Sequence, residues 1–366
     1  MSDSVFSVQV RWHDVVVEVN CNHAPIINHI REHVRPLVVA EAVSRPQISV
    51  NVNWQEAKNS AEEYPLLALA ENRGAHKIGK RLFRIDGKLL WTDIIRTKNM
   101  VTLLEMDDEQ LRITYDHYFE LPEKKLQRNP NYRYEKYFSL LKYFLYFPMI
   151  WYNEQFRGRY VMHASGVSLN GNGVVLGGVG GVGKTTTCIG LLTQENTRLL
   201  SENLVFFDAN KLYQLYEPIR LDDNSVALLG DRKDAVYPTD FPEGTRAKQM
   251  FHVHENLLAE SCPAAAVILP EFSNSSGSFP VSAELAVRRL ENYNQLTREV
   301  NDYYWYAATL NLLDSANSLV TAERIRTLQE LLRNVPAFQL NIDRANGVPP
   351  VVAEIANLAQ QSAVLQ

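Results

Sequence analysis

The segment that most constrains this chain is a glycine-rich loop flanked by two structural signals. The loop reads Gly178, Val179, Gly180, Gly181, Val182, Gly183, Lys184, Thr185. An apolar strand-like run, Val174-Val175-Leu176, precedes it, and a helix-prone segment that begins at Thr186 follows it. Backbone N–H groups of such a loop surround phosphate oxygens, the lysine reaches the outer phosphates, and the hydroxyl can ligate Mg²⁺. Together with the positive end of the following helix, these features predict a nucleoside triphosphate site in an α/β fold.

Composition limits the other classes of partner. The chain has 366 residues, 46% of them apolar, so two domains are expected. A net charge of −5 and a pI near 6.0 provide no overall attraction to nucleic acid or to an anionic membrane, so neither partner is expected. Only three widely spaced cysteines occur, which predicts a reducing, cytoplasmic setting without a disulfide framework.

No segment has the pattern of a targeting or membrane sequence. The first residues lack a basic region followed by an apolar core, so no signal peptide is expected. The longest apolar stretch, Tyr137 to Tyr152, contains Lys142 and Pro148 and is too short to span a bilayer. We interpret it as a buried helix that ends near Pro148.

The chain changes character near residue 130. Residues 5–120 alternate strand patterns with turn signals, including Asp86-Gly87 between two apolar runs, which predicts a hairpin. Residues 121–133 are charged and contain Pro122 and Pro130, which marks a domain boundary. We therefore predict an N-terminal α+β module over 1–130 and a nucleotide-binding α/β domain with helical C-terminal elements over 131–366.

Two apolar runs after the loop end in an acid that could serve phosphoryl transfer. Leu199-Leu200-Ser201 leads to Glu202 and Asn203, and a second run over 265–270 leads to Glu271. Glu202 is preferred because it follows Lys184 by about twenty residues, a distance that suits a helix returning to a neighbouring strand. The alternative is that Glu202 is an ordinary solvated carboxylate at a strand end.

Other polar residues are weaker candidates. His163 precedes a hairpin that leads into the loop strand, and a packed histidine is the competing interpretation. Arg220, Arg246 and Lys248 could contact phosphate or substrate, or could simply be solvated. His252 and His254 lack a nearby third metal ligand, so structural roles are favoured for them.

The order of these pieces resembles the HPr serine kinase/phosphorylase superfamily, whose core is related to phosphoenolpyruvate carboxykinase. The likeness covers residues 135–345 and is nearer to stand-alone HPr-kinase-like proteins than to HPr kinase itself. It rests on a strand with His163, Ser165 and Val167, then the loop, then the acidic pair, and it includes Glu217 to Leu221 and Asn334 to Phe338. The glycine-rich segment that HPr kinases carry downstream is absent from the sequence.

The resemblance implies a role for each matched residue. Lys184 matches the loop lysine, Thr185 the metal-binding hydroxyl, and His163 the histidine beside the transferred phosphate. Glu202 and Asn203 stand where the family has two aspartates, one of which activates the acceptor hydroxyl. Thr185, Glu202 and Asn203 are thus the expected metal ligands. Glutamate can act as a base, whereas asparagine can ligate a metal but cannot accept a proton.

Three functional hypotheses remain open at this stage. The first is an ATP- and Mg²⁺-dependent kinase that phosphorylates a hydroxyl, either serine of a peptide or protein or a small molecule, with Glu202, His163 and Lys184 as catalytic residues. The second is a catalytically impaired ATP-binding switch that recruits a partner, which the Glu-Asn pair favours. Simple nucleotide hydrolysis ranks last. The resemblance also implies homo-oligomeric assembly, and the choice between ATP and GTP stays open.

Overall fold

The computed structural model describes residues 5–56, 65–72, 74–94, 99–241, 249–313 and 320–364. This part of the chain divides into two compact units. The first comprises residues 5–156, with the gaps just given, 240–241 and 302–313; the second comprises 157–239, 249–301 and 320–364. Both units combine helices with strands, so the predicted mixed α/β class is confirmed. No described helix is at once long enough and apolar enough to cross a membrane.

The first unit is built on a sheet of eight described strands. They are β1 (Phe6–Trp12), β2 (Val15–Cys21), β3 (Ile48–Gln55), β4 (His76–Lys77), β5 (Leu82–Ile85), β6 (Lys88–Thr92), β7 (Met100–Asp107) and β8 (Gln110–Tyr118). Their order is β1-β2-β3-β8-β7-β6-β5-β4, and β3 runs parallel to both of its neighbours. The predicted hairpin at Asp86-Gly87 is confirmed, because both residues have positive φ angles (48° and 79°) and join β5 to β6.

Among the described residues, five α-helices lie entirely in this unit, and a further helix, described below, contributes residues 302–310. The five are α1 (Ala24–His33), α2 (Pro65–Asn72), α3 (Glu123–Arg128), α4 (Tyr132–Leu141) and α5 (Phe147–Phe156). The position near residue 130, where a domain boundary was predicted, falls between α3 and α4, and the chain stays in the first unit to Phe156. Helix α4 stays in the first unit because its Tyr137 is buried there. The Tyr137 hydroxyl lies 2.7 Å from Nε2 of His23, at the start of α1.

The helix expected to end near Pro148 continues to Phe156, so that prediction was wrong. A π-helical turn, Lys142–Tyr146, joins α4 to α5 and places Pro148 at the second position of α5. Proline has no backbone N–H, so it leaves one carbonyl of the preceding turn without a donor. The Tyr115 hydroxyl of β8 donates to the Tyr143 carbonyl at 2.8 Å. This hydrogen bond joins the π-helical turn to strand β8.

The second unit has a larger mixed sheet and a small three-stranded one. The larger consists of β9 (Tyr160–Met162), β10 (Ala164–Leu169), β11 (Asn172–Gly177), β12 (Thr197–Ser201), β13 (Val205–Phe207), β14 (Lys211–Tyr213), β18 (Ser261–Phe272), β19 (Gly277–Val281) and β20 (Ala337–Ile342). The smaller consists of β15 (Ile219–Leu221), β16 (Val236–Pro238) and β17 (Gln249–Val253). Strands β11, β18 and β20 run parallel, whereas β10 pairs antiparallel with both β11 and β12.

Six helices have residues in this unit. They are α6 (Lys184–Leu191), α7 (Asp223–Ala227), α8 (Ala283–Leu296), α9 (Arg298–Leu310, of which 298–301 belong here), α10 (Val320–Asn334) and α11 (Pro349–Val364). Both faces of β11 are covered by apolar clusters. Val174 and Leu176 join the cluster that contains Ile189 of α6, while Val175 joins the one that contains Leu290 of α8. Because β11 is packed on both sides, the loop that follows it starts from a fixed position.

Candidate functional site

The glycine-rich loop connects the end of β11 at Gly177 to the start of α6 at Lys184, as the sequence pattern predicts. Gly181 and Gly183 have φ angles of +84° and +93°, a region that side chains strongly disfavour. These two glycines turn the chain so that α6 begins immediately after the loop. The segment therefore has the strand–loop–helix geometry in which loop amides and a helix N-terminus can bind phosphate.

The side chain of Lys184 folds back into the loop that precedes it. Its Nζ donates to the carbonyl oxygens of Gly178 at 2.7 Å and Val179 at 3.2 Å, and the residue is only 8% exposed. Burial lowers the pKa of Lys184, and the negative charge of Glu202 opposes this shift. Lys184 therefore forms a positive centre at the base of the loop.

His163 is brought to the same lysine from the break between β9 and β10. Its Nε2 lies 3.2 Å from Nζ of Lys184, and its backbone N–H donates to Oδ1 of Asn294 at 2.8 Å. Burial, together with the positive charge of Lys184, lowers the pKa of His163 to about 4. The imidazole is therefore neutral near pH 7, and its Nε2 accepts a hydrogen bond from the ammonium group.

Glu202 follows β12 and meets the first turn of α6. The Thr185 hydroxyl donates to Oε1 of Glu202, and the Ser165 hydroxyl of β10 donates to the Glu202 backbone carbonyl. Gly166 of β10 pairs with Ser201 of β12, and β10 in turn pairs with β11, the strand that leads into the loop. The structure thus brings together four of the predicted site residues: His163, Lys184, Thr185 and Glu202.

The oxygens of Thr185 and Glu202 fit a magnesium ion. Mg²⁺ prefers hard oxygen ligands and is usually bound by one or two protein groups together with substrate phosphates. Among the described residues, no three or more His, Cys, Asp or Glu side chains form a complete metal site. A metal here would therefore be shared between these oxygens and a bound nucleotide.

Two further acids, which the sequence reasoning missed as site residues, lie beside Asn203. The Asn203 Nδ2 donates to Oε2 of Glu299 in α9 at 3.1 Å. Burial and the charges of Glu299 and Glu202 raise the pKa of Glu217 well above its usual range, while Arg220 and a hydrogen bond from Asn203 act in the opposite direction. Glu217 stands in a segment that the family resemblance covers. Glu299 gave no sequence signal, because its contact with Asn203 joins residues that are 96 positions apart in the chain.

The competing strand-end acid has different partners. Oε1 of Glu271 forms an ion pair with Nη1 of Arg289 at 3.2 Å, and its Oε2 accepts from Nε2 of Gln339 at 3.2 Å. Both partners lie on secondary-structure elements of the second unit, on α8 and β20. Glu271 thus has a structural ion pair, whereas Glu202 contacts the loop threonine.

The remaining candidates do not add to this group. Arg220 lies in β15 and acts electrostatically on Glu217, whereas Arg246 and Lys248 lie outside the described residues. Nδ1 of His252 is 2.6 Å from the Tyr216 hydroxyl and the residue is fully buried, which agrees with a structural role. All three cysteines are free and buried, so no disulfide framework is present.

Comparisons with known proteins give little help in choosing a function. No family model matches the chain, and no curated protein matches it. A search of solved structures finds a likeness to the Hpr(Ser) kinase/phosphatase from Coxiella burnetii, with 6% identity and a TM-score of 0.26, over 55% of this chain and 97% of that one. At this score the likeness carries no argument about activity.

Proposed function

We propose that this protein is a Mg²⁺-dependent phosphotransferase that moves the γ-phosphoryl group of ATP to a hydroxyl group. The observation that carries the proposal is the meeting of Lys184 and Thr185, adjacent in the loop, with His163 and Glu202 from two other strand ends. Phosphoryl transfer asks a protein mainly for positioning and charge neutralisation, with one group to receive the acceptor proton. These four residues supply a cation, a metal-binding hydroxyl, a neutral imidazole and a carboxylate.

Each residue has a defined task in this reaction. The loop amides and Lys184 hold the β- and γ-phosphates, and Thr185 and Glu202 are placed to ligate the metal, with Asn203 as a further ligand. When bound, Mg²⁺ would neutralise charge on the phosphate oxygens. As the acceptor oxygen bonds to the γ-phosphorus and the bond to the ADP oxygen breaks, Glu202 receives the hydroxyl proton. Neutral His163, beside Lys184, would donate a hydrogen bond to the transferred group, because phosphoryl oxygens can only accept.

A second candidate is an ATP-binding switch that has lost most of its catalytic ability. It is favoured by Asn203, because an amide cannot accept a proton and this one is already engaged with Glu299. A switch of this kind would bind ATP and recruit a partner without forming a phosphorylated product.

The acceptor of the first candidate, the phosphotransferase, is either serine of a peptide or protein or a small molecule.

One experiment separates these candidates. The purified full-length protein is incubated with ATP labelled at the γ-phosphate, Mg²⁺, and panels of serine peptides and small hydroxyl compounds, and labelled products are separated by mass. Transfer to any acceptor, lost on addition of a chelator, supports the phosphotransferase. Tight binding of ATP in calorimetry without any labelled product favours the switch, and no heat with any purine triphosphate removes both.

A further inference from the structure

Asn203 lies between carboxylates that come from distant parts of the second unit. Its Nδ2 donates to Oε2 of Glu299 at 3.1 Å, and its side chain is also a hydrogen-bond partner of Glu217. An asparagine amide has two N–H groups, so one side chain can serve two acceptors. An aspartate has none when it is ionised. The amide is therefore the group that this place in the structure requires.

The charges around Asn203 make the same point. The carboxylates of Glu299 and Glu202 both act on Glu217 and contribute to the upward shift of its pKa, with burial as the largest cause. Glu217 therefore lies within electrostatic reach of both carboxylates, and Glu202 also contacts Thr185. An aspartate at position 203 would place a further carboxylate beside Glu299 and remove the amide N–H that donates to it.

We propose that Asn203 is a positioning residue whose amide holds Glu299 and Glu217 beside Glu202. The acidic side of the proposed nucleotide site then combines Glu202 with Glu299, which Asn203 holds from a separate helix, instead of two adjacent acids. This inference rests on the proposed phosphotransferase function. It makes Asn203 part of a working site and Glu299 its necessary partner.

A first experiment exchanges the two groups and measures thermal unfolding without nucleotide. Asn203→Asp places a carboxylate against the Glu299 carboxylate. We expect this repulsion to lower Tm by about 2–4 °C. Adding Glu299→Gln restores one amide and one carboxylate in reversed positions, so the double variant should recover at least half of the loss. If the loss in Tm of the double variant equals the sum of the losses of the two single variants, the hydrogen-bonded pair is overturned.

A second experiment tests the positioning role. Mn²⁺ is titrated, with spin-resonance detection of the free ion, into protein saturated with a non-hydrolysable ATP analogue. Asn203→Ala and Glu299→Ala should each raise the half-saturating Mn²⁺ concentration about tenfold, and the double variant should not exceed the larger single effect appreciably. Analogue affinity without metal should change less than about threefold, since the loop is intact. Asn203→Ser and Glu299→Gln replace the alanine variants if either fails to fold.

The outcomes separate this inference from the function on which it rests. A structural contact alone would lower Tm but leave the Mn²⁺ midpoint unchanged, and that result overturns the positioning role while leaving the phosphotransferase intact. A wild-type protein that binds no triphosphate overturns both. Shifted midpoints together with rescue by the exchanged pair support the inference.

Discussion

The Thr185 hydroxyl donates to the Glu202 carboxylate, although Thr185 belongs to α6 and Glu202 follows β12. The residue before Thr185 is Lys184, whose Nζ lies 3.2 Å from Nε2 of His163. The first two residues of α6 thus contact one imidazole and one acid that come from separate strand ends. This arrangement makes the individual contributions testable.

Lys184→Met should greatly weaken nucleotide binding, because the charge at the base of the loop is lost while the side-chain volume is kept. We expect the affinity for a non-hydrolysable ATP analogue with Mg²⁺ to fall by about 10- to 100-fold. This corresponds to the loss of one charge-assisted hydrogen bond, which contributes about 1.5–3 kcal/mol. Calorimetry measures this. Lys211→Met, at an exposed lysine of β14 in the same unit, is the matched control. Equal affinity in both variants would show that Lys184 does not contact phosphate.

Glu202→Gln should reduce phosphoryl transfer much more than it reduces ATP affinity. Glutamine keeps an oxygen for the Thr185 hydroxyl but cannot receive the acceptor proton, so the rate should fall about 10²- to 10⁴-fold. Glu271→Gln is the matched control, since this glutamate also follows an apolar run but pairs with Arg289. Rates are measured with labelled ATP and the acceptor found above. Loss of transfer in Glu271→Gln and not in Glu202→Gln would assign the base to Glu271.

Acid should destabilise the first unit through His29. Neither ring nitrogen of His29 has a hydrogen-bond partner among the described residues, and burial lowers its pKa to about 3 from a usual 6.5. Between these values the unfolded chain binds the proton and the folded one does not. The stabilisation is therefore complete above pH 6.5 and is lost as the pH falls toward 3, by about 1.4 kcal/mol per pH unit.

The variant His29→Leu tests this pH dependence. It should flatten the decline of the free energy of unfolding between about pH 4 and 6, because the titrating group is gone. Urea unfolding at several pH values measures the slope. His76→Leu, at an exposed histidine of β4, should keep the wild-type slope. A slope in His29→Leu equal to that of wild type would refute the assignment.

Tyr115→Phe should destabilise the first unit by about 1–2 kcal/mol. The change removes the hydroxyl that donates to the Tyr143 carbonyl, and the loss of a buried hydrogen bond has a cost of this order. The urea midpoint should fall with little change in the slope of the transition. Tyr134→Phe, at an exposed tyrosine of α4, is the control. A urea midpoint as high as that of Tyr134→Phe would mean that the Tyr115 hydroxyl does not stabilise the Tyr143 carbonyl.

Local sequence patterns were sufficient where the residues concerned are neighbours along the chain. The loop, Lys184 and Thr185 follow from spacing alone, because phosphate binding needs a fixed series of consecutive residues. The Asp86-Gly87 hairpin follows from the need for positive φ at both turn positions. The end of the apolar helix was misjudged, since the helical segment continues through a π-helical turn and past Pro148, which is the second residue of α5.

The sequence by itself therefore determined a mixed α/β protein with a phosphate-type loop and pointed to Glu202 by its distance from that loop. Only the tertiary structure decided which acids share the site. Glu271 forms an ion pair with Arg289. Glu299, which lies 96 residues after Asn203 in the chain, accepts a hydrogen bond from it. Contacts of this kind depend on how helices and strands pack, and packing leaves no fixed spacing in the sequence.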